Sequence, residues 1–267
     1  MARFLFTALN PPRGDVAFGG VASWILTVKN HLELLGHDCD VWGPGQPIPK
    51  RQYDFGIFAN VEKTGFLNKL CQKLVSVCHG IVDEEKPSHN FTTVYTSEEV
   101  CTFWGGERRL LPQPINIAYW VPAPNKERRT LLFYSYRASS NLGLNELASD
   151  LNLDFVWLKQ CLAAQAKEQM QRARLVCASG RAALEAMSCG APTFIIDDRP
   201  YNNGPLVCAD LKKAKEHNYS GRGGVNPTFV DLHALAKAAM SEQRPRAYVA
   251  QHHAHDAIVQ RLLEYLC

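Results

Sequence analysis

The feature that most constrains the fold is an alternation of short apolar runs with amphipathic stretches, which occurs twice along the chain. This alternation is typical of βαβ units around a parallel sheet. In the first half it predicts strands at 3–9, 39–42, 53–59, 74–78 and 93–96, and helices at 21–35, 62–72 and from Ser97 onward. In the second half it predicts strands at 131–136, 154–158, 175–178 and 193–196, and helices at 144–150, 160–172, 181–188, 230–241 and 247–266.

A break separates the two halves. Four prolines fall within thirteen residues, at Pro112, Pro114, Pro122 and Pro124, and such a cluster indicates a linker. We therefore predict three segments: an N-terminal α/β domain at 1–122, a C-terminal α/β domain at 123–246, and a terminal helix at 247–267 that returns to the first domain.

Bulk composition narrows the function classes. The 267 residues carry a formal net charge of only +3, which does not indicate a dedicated nucleic-acid binder. No apolar run is long enough to span a bilayer, and the N-terminus lacks the pattern of a signal peptide. The nine cysteines are odd in number and form no C-x-x-C pair, which favours reduced thiols. We expect a cytoplasmic protein.

The segment from Ser179 to Glu185 carries the clearest chemistry. A predicted strand runs into the turn at Ser179-Gly180, and a helix begins with Arg181 and Ala182. Free backbone N–H groups at a helix start form an anion site suited to a diphosphate. Glu185, in the second turn, is placed to accept hydrogen bonds from ribose hydroxyls.

The stretch from Gly180 to Pro192 resembles the G-x-x-x-L-E-A-M-A-x-G-x-P signature of GT-B glycosyltransferases, especially the retaining GT4-like group. The resemblance implies an α/β fold in which two Rossmann-like domains face each other across a cleft, with 1–122 as the acceptor domain and 123–246 as the nucleotide-sugar domain. It also implies that Glu185 holds the nucleotide ribose and that the turn Ser179-Gly180-Arg181-Ala182 holds the donor diphosphate.

Further positions match the same family. Gly19-Gly20 resembles the glycine pair that opens its first helix, and His79, after a predicted strand, matches a histidine that contacts the donor sugar. Arg137 matches an arginine that neutralises the leaving diphosphate. The family's following lysine is absent, so Arg181 is a candidate for the second positive charge. A family glutamate is replaced by Cys177, which leaves the sugar contact and the stereochemistry open.

The sequence therefore predicts a glycosyltransferase that uses a nucleotide sugar, with His79 and Arg137 as catalytic residues and no cofactor. We expect no metal site, because Asp197-Asp198 is not the D-x-D motif of the other glycosyltransferase fold. The acceptor stays open and includes a glycan or DNA, the latter as in phage enzymes that glycosylate modified bases. A nucleotide-sugar epimerase or binding protein of the same fold is the other alternative.

Overall fold

The computed structural model forms two compact units, Met1–Pro114 with His255–Cys267 and Ile115–Ala254. The sequence-based division placed the corresponding boundaries at 122 and 246. The structure describes residues 1–14, 16–17, 19–59, 65–87, 91–124, 127–135, 142–197, 206–208, 210–226, 231–242 and 244–266.

The first unit is built on a five-stranded parallel sheet. Its strands are β1 (Arg3–Ala8), β2 (Asp38–Trp42), β3 (Tyr53–Ala59), β4 (Cys71–Cys78) and β5 (Thr92–Tyr95), in the order β2-β1-β3-β4-β5. Its helices are α1 (Gly20–Leu34), α2 (Leu67–Leu70), α3 (Glu98–Trp104) and, from the end of the chain, α10 (His255–Leu266). Helix α10 packs on α1, where Ile258 and Leu262 join the core around Trp24.

The second unit repeats the plan. Its strands are β6 (Thr130–Tyr134), β7 (Asp154–Leu158), β8 (Ala173–Ala178), β9 (Thr193–Asp197) and β10 (Leu206–Cys208). They run in the order β10-β9-β8-β6-β7 and are parallel except for β10. Its helices are α4 (Leu144–Asp150), α5 (Ala163–Arg172), α6 (Gly180–Ser188), α7 (Leu211–Glu216), α8 (Leu232–Glu242) and α9 (Pro245–His253).

Both sheets therefore have the doubly wound order 2-1-3-4-5, counting the strands of each unit in sequence. In such sheets the order reverses between the first and third strands, and ligands bind outside the carboxyl ends at that point. In the second unit this is the place where β6 and β8 end side by side, with Tyr134 paired to Ala178.

The structure corrects three element predictions. The helix expected at 62–72 is reduced to one turn in the described part, because Cys71 already pairs with Tyr53 in the sheet. The helix expected at 247–266 is broken at Ala254, whose extended backbone (φ −57°, ψ 125°) bridges to Ile115. The segment at 197–227, for which the sequence predicted neither helix nor strand, contains β10 and α7, which are too short to be revealed by local periodicity.

Candidate nucleotide site at the start of α6

The turn between β8 and α6 lies at the ligand edge of the second sheet. Ser179 precedes the helix in extended conformation (φ −128°, ψ 160°), and Gly180 has φ 58°. This left-handed backbone is strained for any residue with a side chain, so the turn requires glycine. The Gly180 N–H donates to the carbonyl oxygen of Tyr219 at 2.6 Å.

A buried ion pair fills the first two turns of α6. Arg181 Nε donates to Glu185 Oε1 at 2.8 Å, and the two side chains are only 7% and 12% exposed. Burial raises the pKa of Glu185 above its ordinary value, and the Arg181 guanidinium opposes that shift. Burial likewise lowers the pKa of Arg181, against the effect of Glu185. The attraction between the two groups offsets part of the free energy lost when both leave water.

This pairing bears on the predicted roles. The sequence placed Arg181 against the diphosphate, whereas the structure shows its Nε on Glu185. Ala182, the next residue of the turn, is partly exposed, and it adds only its backbone and a methyl group. The site therefore offers a carboxylate already held in place and a helix start that favours anions.

In the first unit, Gly19 and Gly20 begin α1. Gly19 adopts φ 89° and accepts the first helical hydrogen bond from Ser23 N–H at 3.1 Å. No Cβ at Gly19 or Gly20 would meet another atom, so it is the backbone angle that requires glycine at position 19.

His79 follows β4 and is buried, at 7% exposed. Its ring lies edge-on to Trp24 of α1, with centroids 5.5 Å apart, and its Nδ1 is 3.5 Å from Gln113 Nε2. Trp24 Nε1 is buried and has no hydrogen-bond partner among the described residues. The structure thus brings His79 against the helix that Gly19-Gly20 opens.

Arg137 lies outside the described residues, so its predicted role is untested. The chain just before it is described: Ser135 accepts a hydrogen bond from Trp157 Nε1 at 2.9 Å and donates its N–H to Leu158 O. Cys177, which replaces the family glutamate, is wholly buried within β8. Burial raises its pKa well above the ordinary thiol value, so this side chain belongs to the core and offers nothing to a ligand.

Two negative findings concern the described residues alone. They contain no group of three His, Cys, Asp or Glu side chains arranged to hold a metal ion. None of their helices combines the length and apolar character needed to cross a bilayer.

Sequence reasoning assigned no role to Tyr219, whose carbonyl oxygen accepts the Gly180 N–H. Tyr248 and His253 of α9 contact the Tyr219 hydroxyl. The signal that could have found the loop is Asn218, because asparagine after a short helix is typical of a left-handed C-terminal cap.

Two sheets of the same doubly wound order define a two-domain Rossmann-like protein, and its fold is that of the GT-B glycosyltransferases. The chain is similar in structure to AviGT4, a glycosyltransferase involved in avilamycin A biosynthesis, with a TM-score of 0.67, 12% identity and coverage of 100% of this chain and 97% of that chain. Sucrose-phosphate synthase from Thermosynechococcus elongatus gives 0.58, 13% identity and coverage of 99% and 98%. MurG from Acinetobacter baumannii gives 0.50, 9% identity and coverage of 99% and 100%.

At these identities the likeness establishes the fold alone. No family model matches the chain, and a sequence search finds no similar curated protein. The fold that the Gly180–Pro192 motif implied is confirmed, whereas the roles of the individual residues stay predictions.

Proposed function

We propose that the protein is a glycosyltransferase that moves a sugar from a nucleotide sugar to a hydroxyl acceptor. The observation that carries the proposal is the buried Arg181–Glu185 pair behind the Gly180 turn, at the ligand edge of a sheet in a GT-B fold. Burying two charged groups is costly, and a carboxyl group paired with Arg181 beside a helix start suits a nucleotide that offers both ribose hydroxyls and phosphates.

In this proposal each part of the nucleotide has its own group. Glu185 accepts hydrogen bonds from the ribose hydroxyls. The N–H groups that follow Gly180 in the first turn, together with the helix dipole, bind the diphosphate. Arg137 adds the positive charge that stabilises the diphosphate as it leaves. The Gly180 N–H is already bound to Tyr219, so its role is to shape the turn.

Transfer forms a bond between the acceptor oxygen and the anomeric carbon and breaks the bond from that carbon to the donor phosphate. The bonding pair leaves with the nucleoside diphosphate, and the acceptor hydroxyl gives up its proton. The developing positive charge on the sugar resembles that in glycoside hydrolysis. Stabilising the leaving diphosphate is the protein's main contribution, and we propose that no metal is required. His79 is proposed to contact the sugar.

A nucleotide screen tests the proposal directly. Thermal unfolding is measured with UDP, GDP, ADP and dTDP, and with the corresponding sugar donors. We expect one base to stabilise the wild type, by about 2.7 kcal/mol at a hundred times its Kd, and the Glu185→Gln variant to respond much less. If no member of the panel shifts the transition at millimolar concentration and no donor is consumed, the proposal is wrong.

Product analysis separates the alternatives. Release of nucleoside diphosphate only when an acceptor is added supports transfer. Turnover of the donor to a free epimerised nucleotide sugar without acceptor supports the epimerase. We propose a cytoplasmic location; eight of the nine cysteines lie in the described residues and all eight are free thiols, as expected for a reducing compartment.

A further inference from the structure

The loop after α7 has a C-terminal cap with an unusual continuation. Asn218 N–H bonds to Lys215 O at 3.2 Å and Tyr219 N–H to Ala214 O at 2.7 Å, the two hydrogen bonds of a Schellman cap. Asn218 adopts φ 52°, as the cap requires. Tyr219 then adopts φ 54° as well, a left-handed conformation that is unfavourable for a residue with a side chain.

The result of that conformation is a contact with the candidate nucleotide site. The Tyr219 carbonyl oxygen accepts the Gly180 N–H at 2.6 Å. The donor and the acceptor of this bond both belong to residues with left-handed backbone, φ 58° and φ 54°. Strained residues persist where the surrounding structure over-determines them, and they cluster at ligand sites.

The Tyr219 side chain anchors this conformation. The side chain is buried, and its hydroxyl lies 2.7 Å from His253 Nε2 and 2.8 Å from Tyr248 Oη. Tyr248 in turn donates its hydroxyl to Leu211 O at 3.0 Å. All these groups are satisfied when His253 donates to Tyr219 and Tyr219 donates to Tyr248. The orientation of the Tyr219 peptide is thus fixed from α9, which lies far along the chain from the α6 turn.

We propose that Tyr219 is a positioning residue of the donor site, holding the Gly180 turn so that the next amides of α6 are presented to the donor diphosphate. The inference rests on the proposed function for the identity of the ligand. It does not make Tyr219 a ligand, because the side chain is buried and the carbonyl is already occupied.

The test compares Tyr219→Phe with Ser188→Ala. Tyr219→Phe removes the anchored hydroxyl and keeps the ring. Ser188 lies at the other end of α6, is wholly buried, and donates its hydroxyl to Trp120 O at 2.6 Å. The control therefore also removes one buried side-chain hydroxyl and its hydrogen bond, but far from the Gly180 turn. Hydrogen exchange is measured by mass spectrometry on peptides spanning 175–187 without ligand. Affinities are measured for UDP and GDP and for the nucleosides uridine and guanosine.

We expect faster exchange at the start of α6 in Tyr219→Phe but not in Ser188→Ala. We also expect affinity for the preferred nucleoside diphosphate to fall about fivefold to tenfold, with affinity for the matching nucleoside unchanged. Such a split is not produced by a general loss of stability. Should Tyr219→Phe fail to fold, Tyr248→Phe, which keeps the His253 contact, should change both quantities in the same direction by less.

Three results would overturn parts of the argument in different ways. Unchanged exchange at the α6 start shows that Tyr219 does not hold the turn. Faster exchange with an unchanged diphosphate affinity shows that the turn is held but that its geometry is irrelevant to the donor. A wild type that binds neither UDP nor GDP, in a protein that also fails the wider nucleotide screen, removes the proposed function, while the exchange result still decides whether Tyr219 fixes the turn.

Discussion

In each unit one helix begins at a glycine with positive φ, but the side chains in the first turns of the two helices differ. Helix α1 follows Gly19 at φ 89°, and α6 begins with Gly180 at φ 58°. The first two turns of α6 contain the buried Arg181–Glu185 pair. The first two turns of α1 contain no charged residue, and Trp24 there packs against His79.

The difference lies in charge. A doubly wound sheet offers the same ligand edge in either unit, and the side chains decide which ligand is bound there. The α6 start carries a buried ion pair, and in the proposed function it binds the nucleoside diphosphate. The first two turns of α1 carry no charged residue, and Trp24 Nε1 there has no hydrogen-bond partner among the described residues; in the proposed function His79, packed against Trp24, contacts the uncharged sugar. Five measurements test this contrast.

The largest effect is expected for Arg181→Met. It leaves Glu185 buried without its partner, and breaking a buried pair costs about 3–5 kcal/mol in the free energy of unfolding. The control is Lys29→Met in α1, which removes an i,i+4 pair with Glu33 that is more exposed and worth less than about 1 kcal/mol. Chemical denaturation measures both. Similar losses in the two variants would show that the α6 pair contributes no more to the free energy of unfolding than an exposed ion pair does.

Arg137→Ala is expected to lower the rate of donor turnover by about a hundredfold or more, because a preorganised contact to transition-state charge is worth about 2.7–4 kcal/mol. Arg172→Ala, which removes an exposed ion pair with Glu168, serves as the control. Equal kcat in Arg137→Ala and the wild type would remove Arg137 from the mechanism.

Glu185→Gln retains an oxygen for Arg181 and removes the charge. A hydrogen bond to a charged group is worth about 1.5–3 kcal/mol, so nucleoside diphosphate affinity should fall roughly tenfold to a hundredfold in calorimetry. Burial raises the pKa of Glu185, so the carboxylate is lost as the pH falls through a value above the usual Glu range. Wild-type affinity should therefore decline on the acid side, and this decline should be absent from Glu185→Gln. A variant with wild-type affinity at every pH contradicts the ribose role.

His79→Ala should slow sugar transfer by about threefold to tenfold, the contribution of one neutral hydrogen bond, with nucleotide affinity unchanged. Steady-state kinetics and calorimetry on the same preparation separate the two effects. A Trp24→Phe variant, which replaces the buried indole that packs edge-on against His79 by a smaller ring, controls for packing. Weaker nucleotide binding in His79→Ala would show that the α1 region is not specialised for the uncharged group.

The smallest effect is expected from chelation. With charge supplied by Arg137 and the helix start, turnover after exhaustive treatment with EDTA should match the untreated rate. Activity that disappears and is restored by Mn²⁺ or Mg²⁺ would mean that a metal neutralises the diphosphate. The charged groups at the α6 start and Arg137 would then be insufficient without that ion.

Much of the fold follows from the sequence, because it rests on local patterns. Short apolar runs located most strands of both units, and amphipathic stretches located most helices. The Gly180–Pro192 motif indicated the fold and the position of Glu185. The prediction was wrong at 62–72 and at 247–266, because the backbone there pairs with residues distant in the sequence. Tyr53 pairs with Cys71, and Ile115 bridges to Ala254. Local propensity carries no information about either pairing.

By itself, the sequence determined that this is a two-unit α/β protein with a glycine turn at Gly180 before a helix and a carboxyl group one turn further on. Only the tertiary structure decided that Arg181 pairs with Glu185 and that the Gly180 N–H is taken by Tyr219. The i,i+4 spacing permits the ion pair, but burial is what gives it strength, and burial depends on everything packed around α6. The Tyr219 contact joins residues thirty-nine positions apart through a left-handed peptide, which no local pattern encodes.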